Sequence, residues 1–259
     1  MPELQTKIKM IDTHCHLELE EFDVDRQTVI EDASDLGIAI ITSAIEKQLW
    51  EKGCAIAEAH SSVHASAGLE PTKYRDCEIA TEWIRSNKER IIAIGETGLD
   101  HYLIRDHRER ELQDSCFRSL IALAKELGLP LQVHSRSAGR KALGTLESCG
   151  ASQVHLHAFD GKASLARIAS QDLGYYFSIP TSVVRSPQKR KLVKAVHIER
   201  LLLETDSPVL SPEKGTRNVP ANLPIALREV SSILRRTEEE LREIILENTL
   251  RLYTGIKYL

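Results

Sequence analysis

Eight short apolar runs recur along the chain, separated by longer stretches with helical spacing. The runs cover residues 8–11, 38–45, 63–69, 91–94, 129–133, 154–157, 175–179 and 201–203. Strands covered on both faces read as continuous apolar segments, and parallel strands need a long crossover between them. The pattern predicts an α/β fold, a closed (β/α)8 TIM barrel. A barrel of this kind takes roughly 250 residues, so the 259-residue chain is expected to be a single domain, 1–259. No low-complexity segment, strict repeat or Pro/Gly/Ser linker divides it.

The intervening stretches carry helix signals. In residues 108–127, Leu112, Cys116, Leu120, Leu123 and Leu127 recur near a 3.6-residue period, and Gly128 follows where a left-handed C-cap belongs. Thr237 with Glu240 three residues later predicts a capping box opening the last helix, with Leu241, Ile244, Ile245 and Leu252 as its apolar face. Ser186-Pro187 predicts an N-cap and first helical residue. The Pro-rich loop 207–224 follows the eighth strand and is expected over the barrel mouth.

Polar residues of one chemical kind fall where the apolar runs stop. His14 and His16 end the first run, Glu96 the fourth, His134 the fifth, His157 the sixth and Asp206 the eighth. Barrel active sites form at the C-terminal ends of the strands, so side chains far apart in sequence converge there. His14 and His16 are two apart and share one face of a strand. Imidazoles and carboxylates in this number suit two divalent ions, with Mg, Mn and Zn as candidates. Two such ions about 3.5–4 Å apart can bridge a hydroxide and clamp phosphoryl oxygens. Glu96 has two oxygens to share between ions, and Asp206 can also accept a proton from attacking water, so these two are the expected catalytic carboxylates. His60, His64, His107 and His197 lie off the strand ends and are read as ordinary structural histidines. His155 shares the parity of His157 but sits deeper, and is read as barrel interior.

Composition narrows the setting. The formal charge of −4 excludes a globally basic nucleic-acid binder, so attraction to a polyanion must come from a local patch or bound ions. One such cluster, Arg185, Lys189, Arg190, Lys191 and Lys194, follows the seventh strand and reads as a solvated helix face whose start lies near the mouth. Five cysteines, Cys15, Cys54, Cys77, Cys116 and Cys149, show no metal-ligand spacing, and reduced thiols in a cytoplasmic protein are expected. Met1 to Met10 lacks the apolar core of a signal peptide, and no stretch approaches the roughly 20 apolar residues of a membrane span. Neither a membrane nor an obligate protein partner is expected.

Several motifs together resemble the TatD-type deoxyribonucleases, a branch of the amidohydrolase-like metal hydrolases. They are Ile11-Asp12-Thr13-His14-Cys15-His16-Leu17, Gly95-Glu96-Thr97-Gly98-Leu99-Asp100, Val133-His134-Ser135-Arg136, His157-Ala158-Phe159-Asp160-Gly161, Leu203-Glu204-Thr205-Asp206-Ser207-Pro208 and Arg217-Asn218-Val219-Pro220. The resemblance runs from about Ile11 to Tyr253. It implies a divalent-metal-dependent nuclease, often an exonuclease, with DNA as substrate. It further implies that His14, His16, Glu96 and Asp206 hold one ion, that Glu96, His134 and His157 hold the other, and that Arg136 and the Arg217-Asn218 loop lie near the substrate phosphate. Two positions depart from the family pattern. Glu70 in Gly68-Leu69-Glu70-Pro71 stands where many members have His, and His101 stands where an aromatic usually follows Gly-Leu-Asp. Both are expected to border the substrate.

The same ion pair could attack a carbonyl in a small amide, lactone or ester. Many amidohydrolases bridge their metals with a modified lysine on the fourth strand, and Glu96 at that position favours the nuclease branch. A non-catalytic metal-binding protein is the remaining alternative, opposed by the intact set of candidate ligands.

Overall fold

A computed structural model of the protein describes residues 8–256. Residues 1–7, most of the Met1 to Met10 stretch that lacks an apolar signal core, lie outside the described residues. The strands are β1 Met10–Cys15, β2 Ile38–Ala44, β3 Val63–Ala67, β4 Ala93–Gly98, β5 Leu131–His134, β6 Val154–Leu156, β7 Tyr176–Pro180 and β8 Leu201–Glu204. They form one sheet in sequential order, every described pairing parallel. The helices between and after them are α1 Arg26–Asp35, α2 Lys47–Ala59, α3 Cys77–Ser86, α4 His107–Leu127, α5 Gly139–Ser148, α6 Ala163–Asp172, α7 Pro187–Ala195, α8 Leu223–Leu234 and α9 Glu238–Leu252. This is the expected (β/α)8 barrel.

The seam between the last and first strands is closed by fewer, more specific bonds. The Asp206 N–H donates to His14 O at 2.9 Å and the His16 N–H to Ser207 O at 2.8 Å. Beneath them, the Thr205 N–H and hydroxyl both donate to the buried Asp12 carboxylate, and the Thr13 hydroxyl donates to Leu203 O. Burial pushes the Asp12 carboxyl up to about 7. Closing the seam therefore also brings Asp206 against His14 and His16.

Strand parity sorts the core into two regions. Ile38, Ile40 and Ala44 pack outward against the helices with the main cluster. Ala39 and Ile41 join Ile11, Ala93, Tyr176 and Leu202 in a separate cluster, sealed by Leu252, Tyr253 and Ile256 from the C-terminal end. The second cluster is the apolar floor of the barrel, leaving the opposite end for polar side chains.

Local signals correspond closely to the elements. Gly128 adopts φ +67° and ends α4, while Thr237 and Ser186 accept the Glu240 and Lys189 amides at the starts of α9 and α7. The capping box is only half made, because Glu240 pairs with Arg236. The buried face of α4 also differs from the expected one. Leu112 is exposed, whereas Gln113 is buried with Cys116, Phe117, Leu120 and Ile121. The reason is polar: Gln113 accepts the Asp100 amide and donates to Pro71 O, tying α4 to two loops at the mouth.

Candidate metal centre

The strands extend further than their apolar runs. His14 lies within β1 and Glu96 within β4, so both side chains are set by sheet geometry and not by loops. Gly98 allows the close approach of β4 to β5: its φ is +136°, and a Cβ there would lie 2.1 Å from His134 O. Asp206 turns out of β8 with φ +55°, a conformation Asp tolerates better than most residues.

Six side chains meet at this end of the barrel. Glu96 Oε2 lies 3.2 Å from His14 Nε2 and 3.6 Å from His16 Nε2. Its other oxygen, Oε1, lies 2.9 Å from His134 Nδ1 and 3.7 Å from His157 Nε2. Asp206 Oδ1 faces His16 Nε2 at 3.4 Å and His14 Nε2 at 3.8 Å. The rings of His14 and His157 stack at 3.9 Å. Ligand atoms of His14, His16 and Glu96, of His14, His157 and Asp206, and of Glu96, His134 and His157 form three groups, each within 4.8 Å. Glu96 belongs to two of these groups, one on each side of its carboxylate.

The second nitrogen of three of the four imidazoles has an orienting group of its own, which fixes the ring as metal sites require. His14 Nδ1 lies 3.3 Å from Gln132 Oε1 and 3.2 Å from Ser43 Oγ. His16 Nδ1 faces Ser43 O at 2.9 Å, and His134 Nε2 faces Asp100 Oδ2 at 3.3 Å. His157 Nδ1 has no hydrogen bond, with Glu204 Oε2 at 3.9 Å the nearby carboxylate. A buried polar chain then runs through the barrel beneath the site. Glu204 accepts from Ser178 at 2.6 Å, Ser178 meets His155 Nε2, His155 Nδ1 meets the Tyr253 hydroxyl, and Gln132 bonds Tyr253 at 3.1 Å. His155 is thus interior, as expected, but with both nitrogens engaged.

The charges are mutually dependent. Burial opposes ionisation of Glu96, yet His157 and His134 hold it well below the carboxylate range. Burial likewise opposes charge on Asp206, which His16, His157 and His14 keep lowered. Burial alone would lower the two cationic rings; instead Asp206, Glu18 and Glu96 hold His16 well above its usual value, and Glu96 and Asp100 raise His134 to about 10. Converging imidazole nitrogens opposed to two shared carboxylates, with the far side of three rings already hydrogen-bonded, fit divalent ions well.

A pH dependence follows. His134, with an ordinary value of 6.5 and a value near 10 here, stabilises the ion-free fold below pH 6.5 and loses that contribution as pH rises through about 10. Ion binding has the opposite sign, because His16 and His134 must give up protons to become ligands. Ion uptake is expected to release protons, and affinity to rise by about tenfold per pH unit for each proton displaced. Calorimetric titration in buffers of different ionisation enthalpy checks this; heats independent of buffer would contradict it.

Above the cluster is a cavity of about 410 Å³ whose walls include Arg136, Asp160, Lys189 and Asp206. Arg136 is exposed, its guanidinium 4.0 Å above the Tyr102 ring. Lys189 behaves unlike the rest of its basic cluster. It is buried against the cavity, with Nζ donating to Ala158 O and Phe159 O, while Arg190 pairs with Glu229. Lys189 was read with its cluster as part of a solvated helix face, but it turns inward to the 158–159 carbonyls, distant in sequence.

The remaining anticipated residues are placed differently from one another. Glu70 is half-buried just past β3; burial and then the nearby Glu96 raise its carboxyl, and Thr72 donates to it. His101 faces the side of the barrel, in a cavity with Arg118 and Lys141. Arg217 is paired with Asp25 and lies over Phe22. Asn218 is wholly buried: its amide donates to Thr181 Oγ1, Thr205 O and Val209 O, and its carbonyl accepts from Val219 and Asn222. These two were expected to lie near the substrate phosphate; in the structure Arg217 is engaged with Asp25 and Asn218 braces the loop beside Asp206. Asp12, Asp100 and Gln132 were not anticipated as supports, although Asp12 and Asp100 stand inside the two motifs that carry His14 and Glu96.

Fold and site together define a barrel hydrolase with a divalent-metal centre. The sequence profile of the TatD-related DNase family matches residues 11–254, and the chain belongs to that family. Human deoxyribonuclease TATDN3 is 38% identical, covering 97% of each chain. The Bacillus subtilis metal-dependent hydrolase YabD is 32% identical, covering 94% of this chain and 98% of its own. The crystal structure of the TatD homologue YjjV from Escherichia coli superposes with a TM-score of 0.84 at 26% identity, covering 95% of this chain and 98% of that one.

Proposed function

We propose that this protein is a divalent-metal-dependent deoxyribonuclease that hydrolyses phosphodiester bonds. His14, His16, Glu96 and Asp206 hold one ion in this reading, and Glu96, His134 and His157 the other. Bound there, the ions would polarise the phosphoryl oxygens and supply hydroxide near neutral pH. The chain's own groups do the rest. Asp206 accepts the proton of the attacking water, and Glu96 sets the spacing of the two halves. Arg136 and Lys189 place positive charge on the phosphate, and Asn218 acts through the loop that positions Asp206. Glu70 and His101 belong to the wider substrate surface, Glu70 on the side of Glu96 and His101 beyond Arg136. Arg217 reaches substrate only if it leaves Asp25.

The observation that carries this reading is the joint placement of two cations, Arg136 and Lys189, in the walls of the cavity over the carboxylate-imidazole cluster. An anionic diester uses both; a neutral lactone or amide has no need of them. No described helix is long and apolar enough to cross a membrane. The five cysteines are all unpaired, which supports a cytoplasmic setting.

The test is an activity panel on labelled DNA, RNA and small esters, before and after chelation and with Mg, Mn or Zn restored. DNA cleavage that disappears on chelation and returns with one of these ions is expected. Full DNA cleavage in a demonstrably metal-free sample, or turnover confined to small esters, would contradict the proposal.

A further inference from the structure

A second cavity, about 760 Å³, opens beside the metal centre at the starts of α5 and α6 and continues along α5 to Ser148 and Arg118 of α4. Its walls include Arg118, Arg140, Lys141 and Lys162, with Asp160 the only acid among its lining residues. Asp114 offsets part of this charge through Arg118 at 2.9 Å and Lys141 at 3.3 Å. Arg140 and Lys162 are exposed and have no ion pair among the described residues. In a chain of net charge −4, a concentration of cations in one concave surface is a local departure from the overall sign.

The two cavities are neighbours. Asp160 lines both, and its carboxylate accepts the Ser137 N–H at 2.7 Å, tying the β5–α5 loop to the β6–α6 loop at their common wall. Residues 134–136 line the metal cavity and residues 137–141 the second, so one continuous loop passes from one to the other. On the same side, the His101 N–H donates to Arg136 O at 2.9 Å, which places the Tyr102 ring, half exposed, beneath the Arg136 guanidinium. Leu103 beside it is 56% exposed. A flat aromatic-cation surface followed by a basic hollow is what a single nucleic-acid strand uses: bases stack on the ring and backbone phosphates follow the charge.

We propose that the α5–α6 cavity is a subsite for DNA backbone phosphates lying beyond the scissile bond, with Arg140 and Lys162 as its principal contacts and Tyr102 as the platform for an intervening base. The inference rests on the nuclease reading and extends it. The metal centre alone can act on any diester that reaches it; the hollow selects a strand long enough to occupy both. His101 lines this hollow, so its departure from the usual aromatic falls in the subsite and not in the metal cavity.

The test compares wild type with Arg140→Ala/Lys162→Ala on two substrates, a single-stranded 12-nucleotide DNA and a thymidine dinucleotide holding only the scissile phosphate. The double variant is expected to raise KM for the 12-mer by about tenfold relative to KM for the dinucleotide. The log–log salt dependence of 12-mer binding is expected to become shallower by about 1.4, two single-strand phosphate contacts at about 0.7 each. Charge reversal, Arg140→Glu/Lys162→Glu, enlarges both effects, and circular dichroism verifies the fold. Equal KM ratios and salt slopes in wild type and variants, with both substrates cleaved, would overturn the subsite and leave the nuclease reading standing. Failure of wild type to cleave either substrate with any divalent ion would overturn the nuclease reading, and the subsite with it.

Discussion

Replacing Asp206 by Asn is expected to lower turnover on DNA by roughly 10²-fold or more while the fold largely persists. The substitution preserves volume, and Asn tolerates the φ of +55° that aims this side chain into the cluster. It keeps the backbone bond from residue 206 to His14 O that helps close the barrel seam. What it removes is the charged oxygen facing His16 and His14, which the imidazoles of His16, His157 and His14 hold ionised and able to take a proton. Single-turnover kinetics with ion content measured on the same sample provide the check. Wild-type turnover in a variant carrying its full ion complement would refute the role given to Asp206.

Glu96→Ala is expected to have the larger effect on binding. Each Glu96 oxygen faces two imidazoles, Oε2 those of His14 and His16 and Oε1 those of His134 and His157. Loss of a group that only orients a ligand typically costs about 10–100-fold in metal affinity; removing the shared group itself is expected to exceed that range and abolish activity. Glu96→Gln separates charge from packing. It should also lose ions, because a neutral amide lacks the negative charge shared between the two halves, even though His16 and His134 would then release their protons more readily. Ion content after gel filtration and calorimetric titration measure both variants, and near-normal affinity in either would contradict the shared-ligand role.

The barrel was legible because strand and helix signals are local. Apolar runs, Gly128, Thr237 and Ser186-Pro187 each act within a few residues, and the elements fall where these signals stand. The candidate ligands were legible because a barrel gathers its strand ends at one mouth. A His, Glu or Asp that closes an apolar run is carried there whatever its distance in sequence from the others. Side-chain direction was less accessible, being decided by partners distant in the chain. Lys189 turns inward for carbonyls about 30 residues away, as the 31- and 30-residue separations of its two bonds show. Arg217 is claimed by Asp25, 192 residues distant. Gln113 displaces Leu112 from the buried face of α4 because two loops need its amide. Tyr253 comes from beyond the last helix to join Gln132 and His155 on the barrel floor, a contact no local pattern announces.

Every role proposed for these residues depends on six side chains from five strand ends holding two divalent ions on either side of Glu96. Anomalous diffraction from crystals soaked with Mn or Zn tests this most directly. The expected result is two peaks at the mouth of the barrel, one beside each carboxylate oxygen of Glu96, the first among His14, His16 and Asp206 and the second between His134 and His157. A single peak away from Glu96, or no ion in the cluster at saturating concentration, would contradict it.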